Sequence, residues 1–227
     1  MPVPSAEPVD IAGEDLRVSG LALAPARARV CYVMAHGAGA GMTHPFMQAI
    51  AEGFAERGIA TLRYQFPYME AGRKRTDPPA LAHATVRAAV AQAQRRFPNL
   101  PLVAGGKSFG GRMTSQMQAA APLPGVRGLV FLGFPLHPAK QPSDKRAEHL
   151  ADVHIPMLFL QGTRDALADS ELLRSVIKRL GDSSRATIKW YEHADHSFHV
   201  PARSGRNDSQ IRDEMLDDTA SWIDAMV

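Results

Sequence analysis

The chain has 227 residues, 45% of them hydrophobic and 22% charged, a balance that excludes overall disorder and fits one globular domain over 1–227. Its single cysteine, Cys31, excludes a disulfide scaffold. The net charge of +3 is too mild to argue for a nucleic-acid partner, and the densest basic cluster, Arg73-Lys74-Arg75, reads as a solvated loop.

Residues 1–12 read as a loose N-terminal segment without the basic start and apolar run of a signal peptide. No stretch approaches the roughly 18 apolar residues of a membrane helix. A cytoplasmic protein with no membrane partner is therefore expected. The nine histidines fall in no CxxC or HExxH spacing, so no metal and no cofactor are expected. Residues 16–24 read as a first strand or small hairpin. Residues 30–35 are a continuous apolar run, the mark of a strand buried on both faces. Over 43–57 the side chains of Phe46, Ile50 and Phe54 share one helical face, and Gly58 ends that helix. A strand at 59–64 is followed by an irregular, proline-bearing stretch at 65–79. Next come a helix at 80–96, a strand at 100–105, a helix at 109–120 and a strand at 126–134. The final elements are a strand at 155–160, a helix at 170–180, a strand at 187–191 and an amphipathic helix at 208–226. This alternation predicts an α/β fold: a mostly parallel central sheet with helices on both faces. In such sheets functional groups gather beyond the carboxyl ends of the strands.

The strand at 100–105 runs into Gly105-Gly106-Lys107-Ser108-Phe109-Gly110-Gly111. Gly-x-Ser-x-Gly between a strand and a helix suits a sharp turn with a strained serine at its apex. The amides that open the following helix favour developing negative charge. Gly106-Lys107-Ser108 could also end a phosphate-binding loop, but that pattern needs glycine at 101, where Pro101 stands.

A serine nucleophile needs a base, and the base needs an orienting acid. In this architecture the chain order is serine, acid, histidine. The strand at 155–160 opens into Gln161-Gly162-Thr163-Arg164-Asp165, so Asp165 is the candidate acid, with Asp195 as its rival. The strand at 187–191 opens into Glu192-His193-Ala194-Asp195-His196-Ser197-Phe198-His199, where His196 is chosen over His193 and His199. An oxyanion hole needs two main-chain N–H donors. One is that of Phe109. The other comes from His36-Gly37-Ala38-Gly39-Ala40-Gly41 after the strand at 30–35, with Ala38 first and Gly39 as fallback. His36 is read as holding that loop.

Together these blocks resemble the α/β-hydrolase superfamily, and within it the small, capless, dienelactone-hydrolase-like branch. With Phe66-Pro67-Tyr68-Met69-Glu70, their wording is similar to testis-expressed and chromatin-complex hydrolase-like proteins. The resemblance spans 28–226. It implies a nucleophile at Ser108, an acid at Asp165, a base at His196 and an acyl-enzyme route on a small-molecule ester. Dienelactone hydrolases carry cysteine where this chain has Ser108, so dienelactone is not the expected substrate. The other reading left open is an interaction or regulatory protein with a vestigial site. About 20 residues separate Phe134 from Ile155, enough for a loop and a short helix but not for a cap. The cleft should then be open, with the 65–79 loop, Leu136, His137 and Phe198 as its walls.

Overall fold

The computed structural model describes residues 5–181 and 185–226. Eight strands form one sheet: β1 (Glu7–Ala12), β2 (Arg17–Leu23), β3 (Val30–Ala35), β4 (Ile59–Tyr64), β5 (Leu102–Lys107), β6 (Val126–Leu132), β7 (Met157–Gly162) and β8 (Ala186–Tyr191). Their spatial order is β1-β2-β4-β3-β5-β6-β7-β8. β1, β2 and β4 pair antiparallel, and every pair from β4 to β8 is parallel. The helices are α1 (Pro45–Glu56), α2 (Pro67–Glu70), α3 (Pro79–Arg96), α4 (Phe109–Ala120), α5 (Ser170–Leu180) and α6 (Asp208–Asp224).

The apolar run of β3 is explained by helices on both sides. Val30, Tyr32 and Met34 pack with Met47, Ile50 and Phe54 of α1 and with Ile211, Met215 and Leu216 of α6. Cys31, Val33 and Ala35 point the other way, into the layer built with α3, α4 and α5. All six residues of β3 are buried, which removes the alternation that a one-sided strand would show. Burial also drives the Cys31 thiol pKa up to about 12, which fits a core residue.

Residues 7–12 are not loose. They form the edge strand β1, with Ile11 fully buried opposite Val18 and with Gly13 N–H closing the hairpin on Leu16 O at 2.8 Å. Only one inward residue of β1 is fully enclosed, so its sequence carries almost no strand signal. Pro8 is tolerated because an edge strand leaves one side unpaired. The first four residues of the expected loose segment lie outside the described residues.

β5 is displaced from its expected limits. Pro101 delays its start, and pairing continues through Gly105, Gly106 and Lys107 against Val130, Phe131 and Leu132. β6 stops at Leu132, short of 134, and β7 runs on to Gly162. The 65–79 stretch contains the one-turn α2 after Phe66. Between β6 and β7 lies a 3₁₀ helix, Lys145–Asp152, whose Ala147 and Leu150 are buried in the core layer beneath α4 and α5. None of its residues lines the cleft over the strand ends, and no lid is formed there among the described residues. No helix among the described residues is long and apolar enough to cross a membrane.

Candidate active site

The turn after β5 is set by close backbone approach. Ser108 adopts φ 48° and ψ −115°, a region that ordinary side chains avoid. A Cβ on Gly106 would stand 2.1 Å from Ala35 O, and one on Gly110 would stand 2.5 Å from His36 O. Glycine at both positions therefore lets β3 and its loop pass directly beside the turn. The result lifts the Ser108 side chain clear of the sheet at the N-terminus of α4.

Two further strand ends converge on it. The His196 ring bridges the other two side chains: Nε2 lies 2.8 Å from Ser108 Oγ and Nδ1 lies 2.7 Å from Asp165 Oδ2. A carboxylate can only accept, so Nδ1 carries the ring proton and Nε2 accepts from the Ser108 hydroxyl. The Asp165 side chain is fully buried, whereas that of His196 is 23% exposed. Asp165 Oδ1 accepts from Leu167 N–H at 2.8 Å, and Oδ2 accepts from Gln161 Nε2 at 2.5 Å. Gln161 is itself oriented because its Oε1 accepts from Phe134 N–H at 2.9 Å.

The competing residues of the 192–199 loop do other things. Asp195 Oδ1 accepts from the amides of Ser197 at 2.7 Å and His199 at 3.0 Å, which closes the turn. His193 is half exposed, with its ring beside Glu192. His199 pairs with Asp208, whose carboxylate raises the imidazole pKa at the surface. His193 and Phe198 both have positive φ, of 65° and 63°, so the turn presenting His196 is tightly wound.

On the opposite side, Gly37 to Ala40 form a turn. Gly39 N–H donates to the Tyr68 hydroxyl at 3.1 Å, whereas the Ala38 amide has no acceptor among the described residues. Of the two candidate donors, Gly39 N–H is thus engaged and Ala38 N–H is not, among the described residues. Phe109 N–H lies in the first turn of α4, where amides have no intrahelical acceptor. His36 holds the loop, as expected: its Nε2 accepts from Phe66 N–H at 3.1 Å, and its Nδ1–H donates to Gly37 O at 2.8 Å. Full burial lowers the His36 pKa to about 4 and keeps the ring neutral.

A cleft of about 400 Å³ opens over Ser108 and His196, with Ala38, Ala40, Phe46, Met47 and Leu167 as its apolar lining. The expected walls are corrected here. Leu136 is fully buried, His137 Nε2 accepts from Asp169 N–H, and Phe198 lies beneath the surface, stacked on Phe46 with centroids 6.1 Å apart. The 65–79 loop also stays outside, with Arg73 to Arg75 exposed and Arg73 paired to Asp77. The start of α1 takes the place of these walls because the 36–44 loop carries it over the strand ends. Three larger hollows, of about 710, 540 and 490 Å³, lie elsewhere; the largest runs along residues 199–210, where the His199 ring pairs with Asp208 and the Ser209 hydroxyl donates to Asn207 Oδ1.

Three supporting residues escape a reading of the sequence. Gln161 is visible only as a polar residue closing the apolar run 157–160. Lys107, next to Ser108, donates from Nζ to His196 O at 2.6 Å and is visible only as a charge inside the glycine-rich motif. Tyr68 has no local signal, since the loop it holds lies 29 residues earlier.

The sequence model of one family, described as an alpha/beta hydrolase domain, matches residues 28–224. Among solved structures, the chain is similar to a dienelactone hydrolase from Anabaena variabilis, with 18% identity, a TM-score of 0.76 and 99% of each chain covered. It is similar to an alpha-beta serine hydrolase homologue from Coxiella burnetii at 17% identity and a TM-score of 0.74, covering 96% of this chain and 99% of that one. It is also similar to a serine hydrolase without a lid from Xanthomonas campestris, at 18% identity, a TM-score of 0.72 and 98% of each chain. At these identities the likeness is one of fold.

Proposed function

As a member of the α/β-hydrolase family, the chain is a hydrolase of that kind, and we propose that it is a serine hydrolase cleaving a small or short-chain ester or thioester through an acyl-enzyme. The observation that carries this reading is the continuous hydrogen-bond path from Ser108 Oγ through His196 to a fully buried Asp165. A serine hydroxyl becomes a useful nucleophile when an adjacent base takes its proton.

In the proposed cycle Ser108 Oγ attacks the substrate carbonyl carbon while His196 Nε2 accepts the hydroxyl proton. Asp165 keeps the Nδ1 proton in place and stabilises the imidazolium that forms. The carbonyl oxygen becomes an oxyanion between the amides of Phe109 and Ala38. Each such donor is worth roughly 10²–10³ in rate. As the tetrahedral intermediate collapses, Nε2 returns the proton to the departing alkoxide or thiolate. Water then enters from the open cleft, gives its proton to Nε2 and attacks the acyl carbon. A second collapse releases the acid and restores the hydroxyl.

The dimensions of the cleft support a small acyl group. Phe46, Met47 and Leu167 offer apolar contact within about 400 Å³, and no lid among the described residues encloses a long chain. The test is a fluorophosphonate probe on the purified protein, read by mass, with Ser108→Ala alongside. One adduct that disappears in the variant is expected, followed by turnover of acetyl and butyryl esters. A folded protein that takes no adduct would overturn the proposal.

A further inference from the structure

Lys107 occupies the last position of β5, directly before Ser108, and the acyl-transfer steps above give it no role. Its ammonium turns away from open solvent. Nζ donates to the main-chain oxygen of His196 at 2.6 Å and lies 5.4 Å from the centroid of the Phe198 ring. Gly133, with φ 74°, provides the space: a Cβ there would stand 3.0 Å from Nζ and 3.5 Å from Nδ1 and Cε1 of His196. The niche is therefore shared by the ends of β5 and β6 and the loop that bears His196.

The carbonyls of that loop show why a cation is needed. Ala194 O accepts from Arg164 N–H at 2.9 Å, and Asp195 O accepts from Phe198 N–H at 3.0 Å. The next carbonyl, that of His196, receives no main-chain N–H, and Lys107 is its donor among the described residues. A half-buried carbonyl without a partner would leave the turn free to shift. A charge-assisted donor on the residue beside Ser108 ties it to the turn it must face.

Resting on the serine-hydrolase reading, we propose that Lys107 is a positioning residue: its ammonium holds the main-chain oxygen of His196, and through it the ring that joins Ser108 to Asp165.

The charged groups that act on Nζ are Asp165 after β7 and Asp195 after β8, and the His196 ring is bonded to the first of them. Burial lowers the Lys107 pKa to about 8, and the two carboxylates oppose that shift. The ammonium is thus present below that pH and lost as pH rises through it. The neutral amine is a weaker donor, so the rate of the proposed reaction should fall on the alkaline side.

The test compares the wild type with Lys107→Met and Lys107→Arg across the neutral and alkaline range, by ester turnover and by the rate of fluorophosphonate labelling. Lys107→Met should lower kcat roughly 10- to 100-fold, the scale of a small misplacement of the base, with KM little changed. It should also lack the alkaline fall near the Lys107 pKa, whereas Lys107→Arg should retain most of the neutral rate. The His196 Nδ1 proton resonance supplies a readout independent of turnover and should broaden in Lys107→Met. An unchanged kcat, a rise in KM alone, or the same alkaline limb in Lys107→Met overturns the proposal. If Lys107→Met fails to fold, a wild-type labelling rate that stays flat into the alkaline range overturns it equally. A wild type without an adduct on Ser108 defeats the serine-hydrolase reading instead, and an unchanged Nδ1 resonance in the Met variant would then defeat the positioning role.

Discussion

The amide nitrogen of Gln161 lies 2.5 Å from the same Asp165 oxygen that faces His196, while its amide oxygen is held by Phe134 N–H. Gln161 thus links the end of β6 to the proposed acid. It is fully buried, so neither of its bonds can be replaced by bulk water. Gln161→Leu should therefore act twice. Orphaning the Phe134 amide and one lone pair of Asp165 should cost about 1–3 kcal/mol of stability. A carboxylate free to turn should also lower kcat with KM nearly unchanged. Urea unfolding and steady-state kinetics on the same preparation check both; unchanged values in both would mean that Asp165 needs no such support.

Two aspartates sit near His196, and exchange to asparagine separates them. Asp165→Asn replaces the acceptor for Nδ1–H with an amide that can hold the wrong tautomer, for which the expected loss in kcat is on the order of 10⁴. Asp195→Asn keeps an oxygen able to accept from Ser197 and His199 N–H, so it should change turnover by less than about tenfold. The reverse pattern in kcat would move the acid role to Asp195.

Ser108 is the residue where stability and activity should oppose each other. Its backbone, at φ 48° and ψ −115°, stores strain that glycine would not feel. Ser108→Gly should abolish phosphonate labelling and leave the melting temperature equal to or above that of the wild type, by up to about 1 kcal/mol of stability. Thermal unfolding checks this, and a marked drop in melting temperature would show that the side chain supports the turn more than the backbone strains it.

What is legible in the sequence follows from where each constraint lies along the chain. β4, α4 and α5 run over the residues expected because their ends carry local signals: Gly58 before β4, the tight turn at Ser108 before α4, and Asp169 capping Leu172 N–H before α5. β1 is not legible because its one fully buried residue, Ile11, is enclosed by a sheet that the local sequence does not describe. The end of β5 is hidden because glycines that pair across the sheet look like glycines in a loop. Ser108, Asp165 and His196 are recognisable as strand-end residues, and the structure sets them within hydrogen-bond reach of one another. Their supports are not recognisable, since Gln161 depends on Phe134, Tyr68 on Gly39 and Lys107 on His196 O, all contacts made by sheet register and loop packing.

Tyr68 holds the loop that carries the proposed oxyanion donor Ala38. Its hydroxyl accepts from Gly39 N–H at 3.1 Å, and its own amide is anchored on Asp77 Oδ2 at 3.0 Å. Tyr68→Phe keeps the ring among His36, Phe66 and Phe109 but removes the acceptor. The Gly39 amide would then seek another partner and draw the Ala38 amide with it. The expected result is a fall in kcat of roughly tenfold or more, since a whole oxyanion donor is worth 10²–10³. KM for an ester should change little, because the ground-state carbonyl leans on that donor less than the oxyanion does. Equal losses in binding and turnover would argue against this loop as the oxyanion site.

His36 should make the protein sensitive to acid. In the folded state burial holds its pKa near 4, so the ring stays neutral between the Phe66 amide and Gly37 O. In the unfolded chain the same ring titrates near its ordinary value of about 6.5. Below that value the unfolded state binds a proton that the folded state refuses. Stability is thus full above about pH 6.5 and declines as pH falls toward 4, by about 3 kcal/mol at the lower end for this residue. His149, whose pKa is also lowered to about 4 by burial and by the nearby Arg112, adds to the loss in the same window. His36→Gln isolates the first contribution: it should be less stable than the wild type at neutral pH but show a shallower decline toward acid. Urea midpoints measured at several pH values check the slope, and an unchanged slope in the variant would mean that His36 takes up its proton as readily in the folded protein as in the unfolded chain.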